Sequence, residues 1–138
     1  MDLKRLTPDL SVTAQIGPAD LSAIAALGFT TVICNRPDGE QPGQPDHDTL
    51  AQAARALGLR FHHQPVITGQ VTPDQGKAFG ELLAQAGGPV LAYCRSGMRC
   101  TTLWAYANAD RQPWQDLLNT AAQAGYDLSR LQPPVHRR

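Results

Sequence analysis

Short apolar segments typical of β-strands alternate with Ala- and Leu-rich segments typical of α-helices, and this alternation constrains the fold more than any other feature. The predicted strands are Ser11–Ile16, Phe29–Cys34, Arg60–Ile67 and Pro89–Tyr93. The predicted helices begin near Pro18, Asp46, Thr72, Thr101 and Trp114. Repeated strand–helix units are typical of a parallel sheet with helices on both faces. We therefore predict an α/β domain of three layers, with a mainly parallel central sheet of four to five strands.

We predict a single domain. The 138 residues contain no internal repeat and no linker long enough to divide the chain. We place the domain at residues 1–131. Residues 132–138, "QPPVHRR", offer too little apolar surface to pack, so we expect a flexible C-terminal tail there.

Composition and charge argue against several kinds of partner. Lys+Arg and Asp+Glu both number 12, so the net charge of zero gives no electrostatic attraction to nucleic acid or to an anionic membrane. No apolar run could span a bilayer, and the first residues, "MDLKRLTPDLSVTAQ", lack the apolar stretch of a secretory signal. Three cysteines at irregular spacing do not form a typical disulfide framework. We therefore expect a cytoplasmic protein with reduced thiols.

The predicted topology brings three loops to one edge of the sheet. In open α/β sheets, ligands bind beyond the carboxyl ends of the strands. The loops that follow the second, third and fourth predicted strands are Asn35–Gln44, Thr68–Val71 and Cys94–Arg99. We expect the ligand site at this edge.

The stretch "VLAYCRSGMRC", residues 90–100, has the composition of an anion-binding turn between a buried strand and a helix. Its backbone amides and the helix N-terminus attract an anion, and Gly97 permits the tight geometry. Arg99 is the predicted charged clamp, and the same positive field favours the nucleophilic thiolate of Cys94. The predicted catalytic residues are thus Cys94 and Arg99, and those predicted to bind substrate in this loop are Arg95, Ser96, Gly97, Met98 and Cys100. A thiolate there can attack phosphorus to form a phosphocysteine, or a sulfane sulfur to form a persulfide.

"YCRSGMR" resembles the active-site loops of rhodanese-type sulfurtransferases and of tyrosine-phosphatase-like enzymes. Together with "TAQIGPADLSAIAALGFTTVICNRPDGEQPGQP" and "HHQPV", it resembles a bacterial family across about residues 5–125. This family is the phosphatase-like domain of beta-lactamase-hydrolase-like proteins, also described as sulfur transferases. The resemblance implies a tyrosine-phosphatase-like fold with Cys94 as nucleophile. Some relatives carry a fused hydrolase of the persulfide dioxygenase type, which implies a separate partner enzyme of that kind here.

The loop departs from the phosphatase pattern His-Cys-x5-Arg. Tyr93 replaces the His, Cys100 stands where the Arg is expected, and Arg99 comes one place early, as in rhodanese-type CRSGxR loops. A phosphatase also needs a general acid, and "TGQVT" offers none. Asp74 is better placed as a helix-start charge, while Asp38 and Glu40 are possible substitutes. Sulfur transfer, which releases a good leaving group such as sulfite, is therefore the preferred function, with a phosphatase as the alternative.

The two remaining cysteines have simpler interpretations. Cys100 is either a thiol that resolves an oxidised Cys94 or a small core residue in a helical stripe with Leu103 and Trp104. A third hypothesis follows: a non-catalytic oxyanion-binding or redox-sensing module with a Cys94–Cys100 disulfide. Cys34 ends an apolar strand, so we expect it to be buried and inert.

Arg36 and Asp38 lie in the loop "NRPDGE", which is either a turn with solvated charges or part of the substrate site.

His62 and His63 have no metal-ligand spacing to the cysteines, and nucleotide-binding fingerprints are absent. We therefore predict no metal and no cofactor. The predicted partners are a small oxyanion or sulfane-sulfur substrate and a small-thiol acceptor.

Overall fold

A computed structural model describes residues 1–134. Residues 132–134 have no regular secondary structure, and the rest of the predicted tail lies outside the described residues. The domain boundary at residue 131 stays a prediction. Within residues 1–134, no helix combines the length and the apolar character needed to cross a membrane.

The centre of the fold is one five-stranded sheet, and the prediction of a mainly parallel sheet is confirmed. Its strands are β1 (Lys4–Thr7), β2 (Leu10–Thr13), β3 (Thr31–Cys34), β4 (Arg60–His63) and β5 (Val90–Tyr93). They lie in the order β1-β2-β5-β3-β4, with β1 antiparallel to β2 and all other pairs parallel. A short 3₁₀ turn spans Pro18–Asp20, and the helices are α1 (Leu21–Ala26), α2 (His47–Ala56), α3 (Pro73–Gln85), α4 (Met98–Ala107) and α5 (Trp114–Gln123).

The structure contains one strand that the sequence pattern does not predict, and several strand boundaries differ from the predicted ones. The edge strand β1 was not expected, because only Leu6 of "KRLT" is buried and the segment carries no strong alternation. β2 covers Leu10–Thr13 instead of Ser11–Ile16. β4 ends at His63 rather than Ile67, shortly before Pro65, which has no amide to donate to a neighbouring strand.

Two apolar cores lie on opposite faces of the sheet, as the three-layer prediction requires. Because side chains alternate along a strand, Ile33 and Ala92 join the core built with α3, α4 and α5. Val32 and Leu91 point the other way, into the core built with α1 and α2. Burial on both faces explains why these strands are continuously apolar.

Helices α3 and α4 approach each other closely because two glycines of α3 face α4. A Cβ at Gly76 would overlap the Cβ of Tyr106, and one at Gly80 would lie 3.1 Å from the Cβ of Ala107. This contact fixes the position of α4, whose first turn carries Arg99 and Cys100.

Candidate active site

The cysteine loop connects β5 directly to α4. The strand ends at Tyr93, and α4 begins at Met98, three residues earlier than the sequence indicated, so Met98, Arg99 and Cys100 belong to the helix. Gly97 precedes the helix with φ +95°, a left-handed conformation that glycine adopts without strain. In this conformation its amide donates a hydrogen bond to Sγ of Cys94 over 3.1 Å.

The environment of Cys94 favours its thiolate. The pKa of Cys94 is lowered to about 5, chiefly by a hydrogen bond from the Cys100 thiol. Burial opposes this shift, and backbone amides of Cys100, Gly97 and Ser96 add to it. Cys94 is therefore ionised at neutral pH, at the N-terminus of α4, where the helix dipole supports negative charge.

Cys100 is completely buried and belongs to the core that includes Leu103 and Trp104. Burial raises the pKa of its thiol well above the ordinary value, and the neighbouring Cys94 charge raises it further. Cys100 thus stays protonated, which is what a donor to the Cys94 thiolate requires. Among residues 1–134 the three cysteines are free thiols, and the disulfide hypothesis stays a prediction.

Arg99 is buried and makes a two-bond ion pair with Glu40. Nη1 lies 2.9 Å from Oε2, and Nη2 lies 2.8 Å from Oε1. Nη1 also donates to the carbonyl of Val66 over 2.9 Å. Among the described residues, Nε and the second hydrogen of Nη2 have no acceptor. These two hydrogens form the second edge of the guanidinium, so Arg99 can donate two hydrogen bonds to an oxyanion while it stays bound to Glu40.

Glu40 also pairs with Arg36. The Nε of Arg36 lies 2.8 Å from Oε1 of Glu40. The pKa of Glu40 is lowered, first by the hydrogen bond from Arg99, against the effect of burial, and then by Arg36. A carboxyl group held ionised by two arginines does not donate a proton to a leaving group at neutral pH.

Arg36 is only 2% exposed, and its guanidinium donates hydrogen bonds to side chains of nearby loops. Besides Glu40, it donates to Oε1 of Gln15 over 3.1 Å and to Oε1 of Gln41 over 3.2 Å. The structure therefore places Arg36 behind Glu40, and a direct substrate contact by Arg36 stays only a prediction.

Asp38 lies in the same loop and contacts His47. Its Oδ2 lies 2.6 Å from Nδ1 of His47, whose ring stacks on His63 with centroids 3.7 Å apart. Burial by itself raises the pKa of Asp38, but the amide and ring of His47 lower it below the ordinary value. Within residues 1–134, Asp38, His47 and His63 are the only group of three or more potential metal ligands whose ligand atoms lie close together. Their contacts are a hydrogen bond between Asp38 and His47 and a ring stack between His47 and His63.

Asp74, which the sequence predicts as a helix-start charge, lies in the first turn of α3. It lines a separate cleft of about 660 Å³ together with Lys77, Glu81 and Arg111. The structure thus brings Asp38, Glu40 and Asp74 to three different environments.

The C-terminal segment, which follows α5, contacts the cysteine loop through Tyr126. Arg95 and Ser96 are exposed, and the Tyr126 hydroxyl donates to the Ser96 carbonyl over 3.0 Å. A Cβ on Gly97 would overlap this hydroxyl group. Beside the loop lies a cleft of about 570 Å³, lined by Arg95, Ser96, Met98, Arg99 and residues of three other segments.

The sequence did not indicate Gln15, Gln41, His47 or Tyr126 as parts of this region. They approach it through tertiary contacts between distant segments, which no local motif encodes. The sequence indicates Glu40 only as a candidate general acid. A buried arginine requires an acidic partner, so the presence of Arg36 in the same loop was the one sequence signal that Glu40 forms an ion pair.

Residues 2–111 match the family model of the beta-lactamase hydrolase-like protein, phosphatase-like domain. The chain belongs to this family. The beta-lactamase hydrolase-like protein of Agrobacterium fabrum C58 is 35% identical over 130 residues, which are 93% of this chain and 30% of that protein. Its counterpart in Xylella fastidiosa Temecula1 is 33% identical, over 94% of this chain and 31% of that protein. The chain therefore spans about a third of the length of these family members.

Solved structures show the same fold. A candidate phosphatase from Neisseria meningitidis Z2491 is 39% identical with a TM-score of 0.85, over 94% of this chain and 93% of that one. Tk-PTP in its active form has a TM-score of 0.74 at 18% identity, over 93% of this chain and 88% of that one. TpbA from P. aeruginosa, in complex with pTyr, has a TM-score of 0.69 at 22% identity, over 92% and 76%. The predicted tyrosine-phosphatase-like fold and family membership are confirmed.

Proposed function

We propose that this chain is a sulfurtransferase that carries a sulfane sulfur on Cys94. The proposal rests on one observation: the nucleophile Cys94 and the nearby carboxyl group of Glu40 are both held in their ionised forms. Cys94 has a pKa of about 5. Glu40 is held as a carboxylate by its contacts with Arg99 and Arg36. A site of this kind favours a reaction whose leaving group departs without a proton.

Transfer from thiosulfate meets this requirement. The Cys94 thiolate attacks the outer sulfur of thiosulfate, a new S–S bond forms, and the old S–S bond breaks with its electron pair going to sulfite. The charges balance: Cys94–S⁻ and S–SO₃²⁻ give Cys94–S–S⁻ and SO₃²⁻. The backbone amides of the loop and the free edge of Arg99 are suited to the sulfonate oxygens.

The second half of the reaction uses the low pKa of Cys94 again. An acceptor thiolate attacks the outer sulfur of the persulfide, and Cys94 leaves as a thiolate. A thiol of low pKa is a good leaving group in such an exchange. The acceptor would be a small thiol, and its persulfide is a suitable substrate for a separate enzyme of the persulfide dioxygenase type.

A phosphatase activity is the second candidate, and the relatives are what favour it. The neighbours include phosphatase-like folds, among them TpbA in complex with pTyr. The same thiolate could attack phosphorus and release an alkoxide, which is a poor leaving group without an acid. This candidate would therefore act best on aryl phosphates, whose phenolate departs more readily.

The two candidates leave different groups on the same sulfur. Intact mass spectrometry after separate incubation with thiosulfate and with an aryl phosphate distinguishes them. The proposal predicts the gain of one sulfur atom with thiosulfate, lost on reduction and absent in Cys94→Ser. A Cys34→Ser variant is the matched control and keeps the modification. A phosphoryl group on Cys94, with no sulfur gained from thiosulfate, would establish the phosphatase instead.

A further inference from the structure

The cleft beside the cysteine loop is larger and more apolar than an inorganic donor requires. Its volume is about 570 Å³, within the range of sites for organic ligands. Three polar or charged residues of the loop, Arg95, Ser96 and Arg99, form one side of it. A thiosulfate ion would occupy the loop alone and leave this volume to water.

The other walls come from three parts of the chain. Met98, Thr102 and Tyr106 stand four residues apart in α4, so they line one stripe of the helix. Val71 follows β4, and Leu131 comes from the C-terminal segment. Met98 is 37% exposed, a large fraction for an apolar side chain next to a buried thiolate. An apolar wall that continues from an anion-binding loop suits a ligand with a charged head and an apolar body.

We propose that the preferred sulfur donor is an organic thiosulfonate, R–SO₂–S⁻, in which R is an apolar group about the size of a phenyl ring. This inference rests on the proposed sulfurtransferase activity. The sulfonyl oxygens and the terminal sulfur occupy the cysteine loop, and R lies against Met98, Val71 and Leu131.

The transfer step remains balanced with this donor. The Cys94 thiolate forms a bond to the terminal sulfur of R–SO₂–S⁻. The bond between that sulfur and the sulfonyl group breaks, and its electron pair leaves with the sulfonyl group as the sulfinate R–SO₂⁻. The reactants Cys94–S⁻ and R–SO₂–S⁻ give the products Cys94–S–S⁻ and R–SO₂⁻, so the charge is unchanged and no proton or further oxidant is needed.

Ligand binding tests the cleft without depending on catalysis. We would titrate the Cys94→Ser protein with benzenesulfonate and methanesulfonate, which share the charged head and differ in the apolar body. Burial of the ring predicts binding of benzenesulfonate tighter by about tenfold or more. Equal affinities for the two ions would overturn the inference, whatever the reaction of Cys94.

Kinetics with wall variants test the same cleft during catalysis. The rate of Cys94 persulfidation is compared for benzenethiosulfonate, methanethiosulfonate and thiosulfate. Leu131→Ala removes part of the wall, and Thr68→Trp fills the cleft from an exposed loop position. We expect each to slow the benzene donor by about fivefold or more while the thiosulfate rate stays within about twofold.

Gln70→Trp is the matched control for Thr68→Trp, since Gln70 is an exposed residue of the same loop that does not line the cleft. It should change none of the three rates. Equal reactivity of the benzene and methane donors, or equal losses with all donors in the wall variants, would overturn the inference. Absence of persulfide with every donor would refute the proposed function, and selective benzenesulfonate binding would then show that the cleft serves another reaction.

Discussion

Arg99 and Glu40 join the two loops of the candidate site, with Nη1–Oε2 and Nη2–Oε1 separations of 2.9 and 2.8 Å. Arg99 comes from the first turn of α4, and Glu40 from the loop after β3. Arg36 holds the same carboxylate from behind, at 2.8 Å. Glu40 therefore orients the Arg99 guanidinium, and we propose that the second guanidinium edge binds the substrate.

Glu40→Gln should weaken catalysis and stability together. It leaves the largely buried Arg36 and Arg99 without their carboxylate, and we expect kcat/KM to fall by about tenfold or more and the free energy of unfolding by about 1–2 kcal/mol. Sulfur-transfer kinetics and urea unfolding measure the two effects. Glu81→Gln makes the same charge change at an exposed position of α3 and is the control. If the two variants behave alike, Glu40 does not position Arg99.

The same ion pairs predict a pH dependence of stability. The folded-state pKa of Glu40 is lowered from 4.5, so its contribution to stability is present above its unfolded pKa and is lost as pH falls through the folded pKa. The difference in unfolding free energy between the wild type and Glu40→Gln should therefore shrink as pH falls below about 4.5. A difference that stays constant through this range would contradict the ion-pair account.

Gly97→Ala should damage the cysteine loop more than glycine's backbone freedom alone explains. Gly97 has φ +95°, and an added Cβ would overlap the Tyr126 hydroxyl. We expect a loss of at least about 2 kcal/mol in the free energy of unfolding, from strain and overlap together. Gly43→Ala, at φ +77° with open space around it, isolates the strain alone and should cost about 1 kcal/mol. In a Tyr126→Ala background, Gly97→Ala should cost only the strain, about as much as Gly43→Ala does in the wild type. Equal losses in the two single variants would exclude the overlap.

Cys100 should control the ionisation of Cys94. Removal of its thiol in Cys100→Ala deletes the largest influence that lowers the pKa of Cys94, so this pKa should rise by about one unit or more. Cys100→Ser keeps a hydrogen-bond donor and should retain a low value. Thiolate absorbance against pH measures the shift, because burial raises the pKa values of Cys34 and Cys100 out of this range. A Cys100→Ala titration that coincides with the wild type would refute this role.

Local patterns predicted the parallel sheet and the loop that carries Cys94, since a continuous apolar strand followed by a glycine-containing turn is encoded within a dozen residues. The β1 strand was missed because its pairing with β2, rather than its own pattern, makes it a strand. The contact between Glu40 and Arg99 joins residues that are 59 positions apart. No spacing rule encodes such a contact, and the folded topology alone shows which of the nearby carboxyl groups is an ion-pair partner.

We propose that Cys94, as a thiolate at neutral pH, accepts a sulfane sulfur. The rate at which thiosulfate adds one sulfur to Cys94, followed by intact mass against pH, tests both parts at once. We expect a rate that is constant around neutral pH and falls on acidification with a midpoint near the Cys94 pKa of about 5, with no reaction in Cys94→Ser. A midpoint near the ordinary thiol value of 9.0, or sulfur gained by Cys94→Ser, would contradict it.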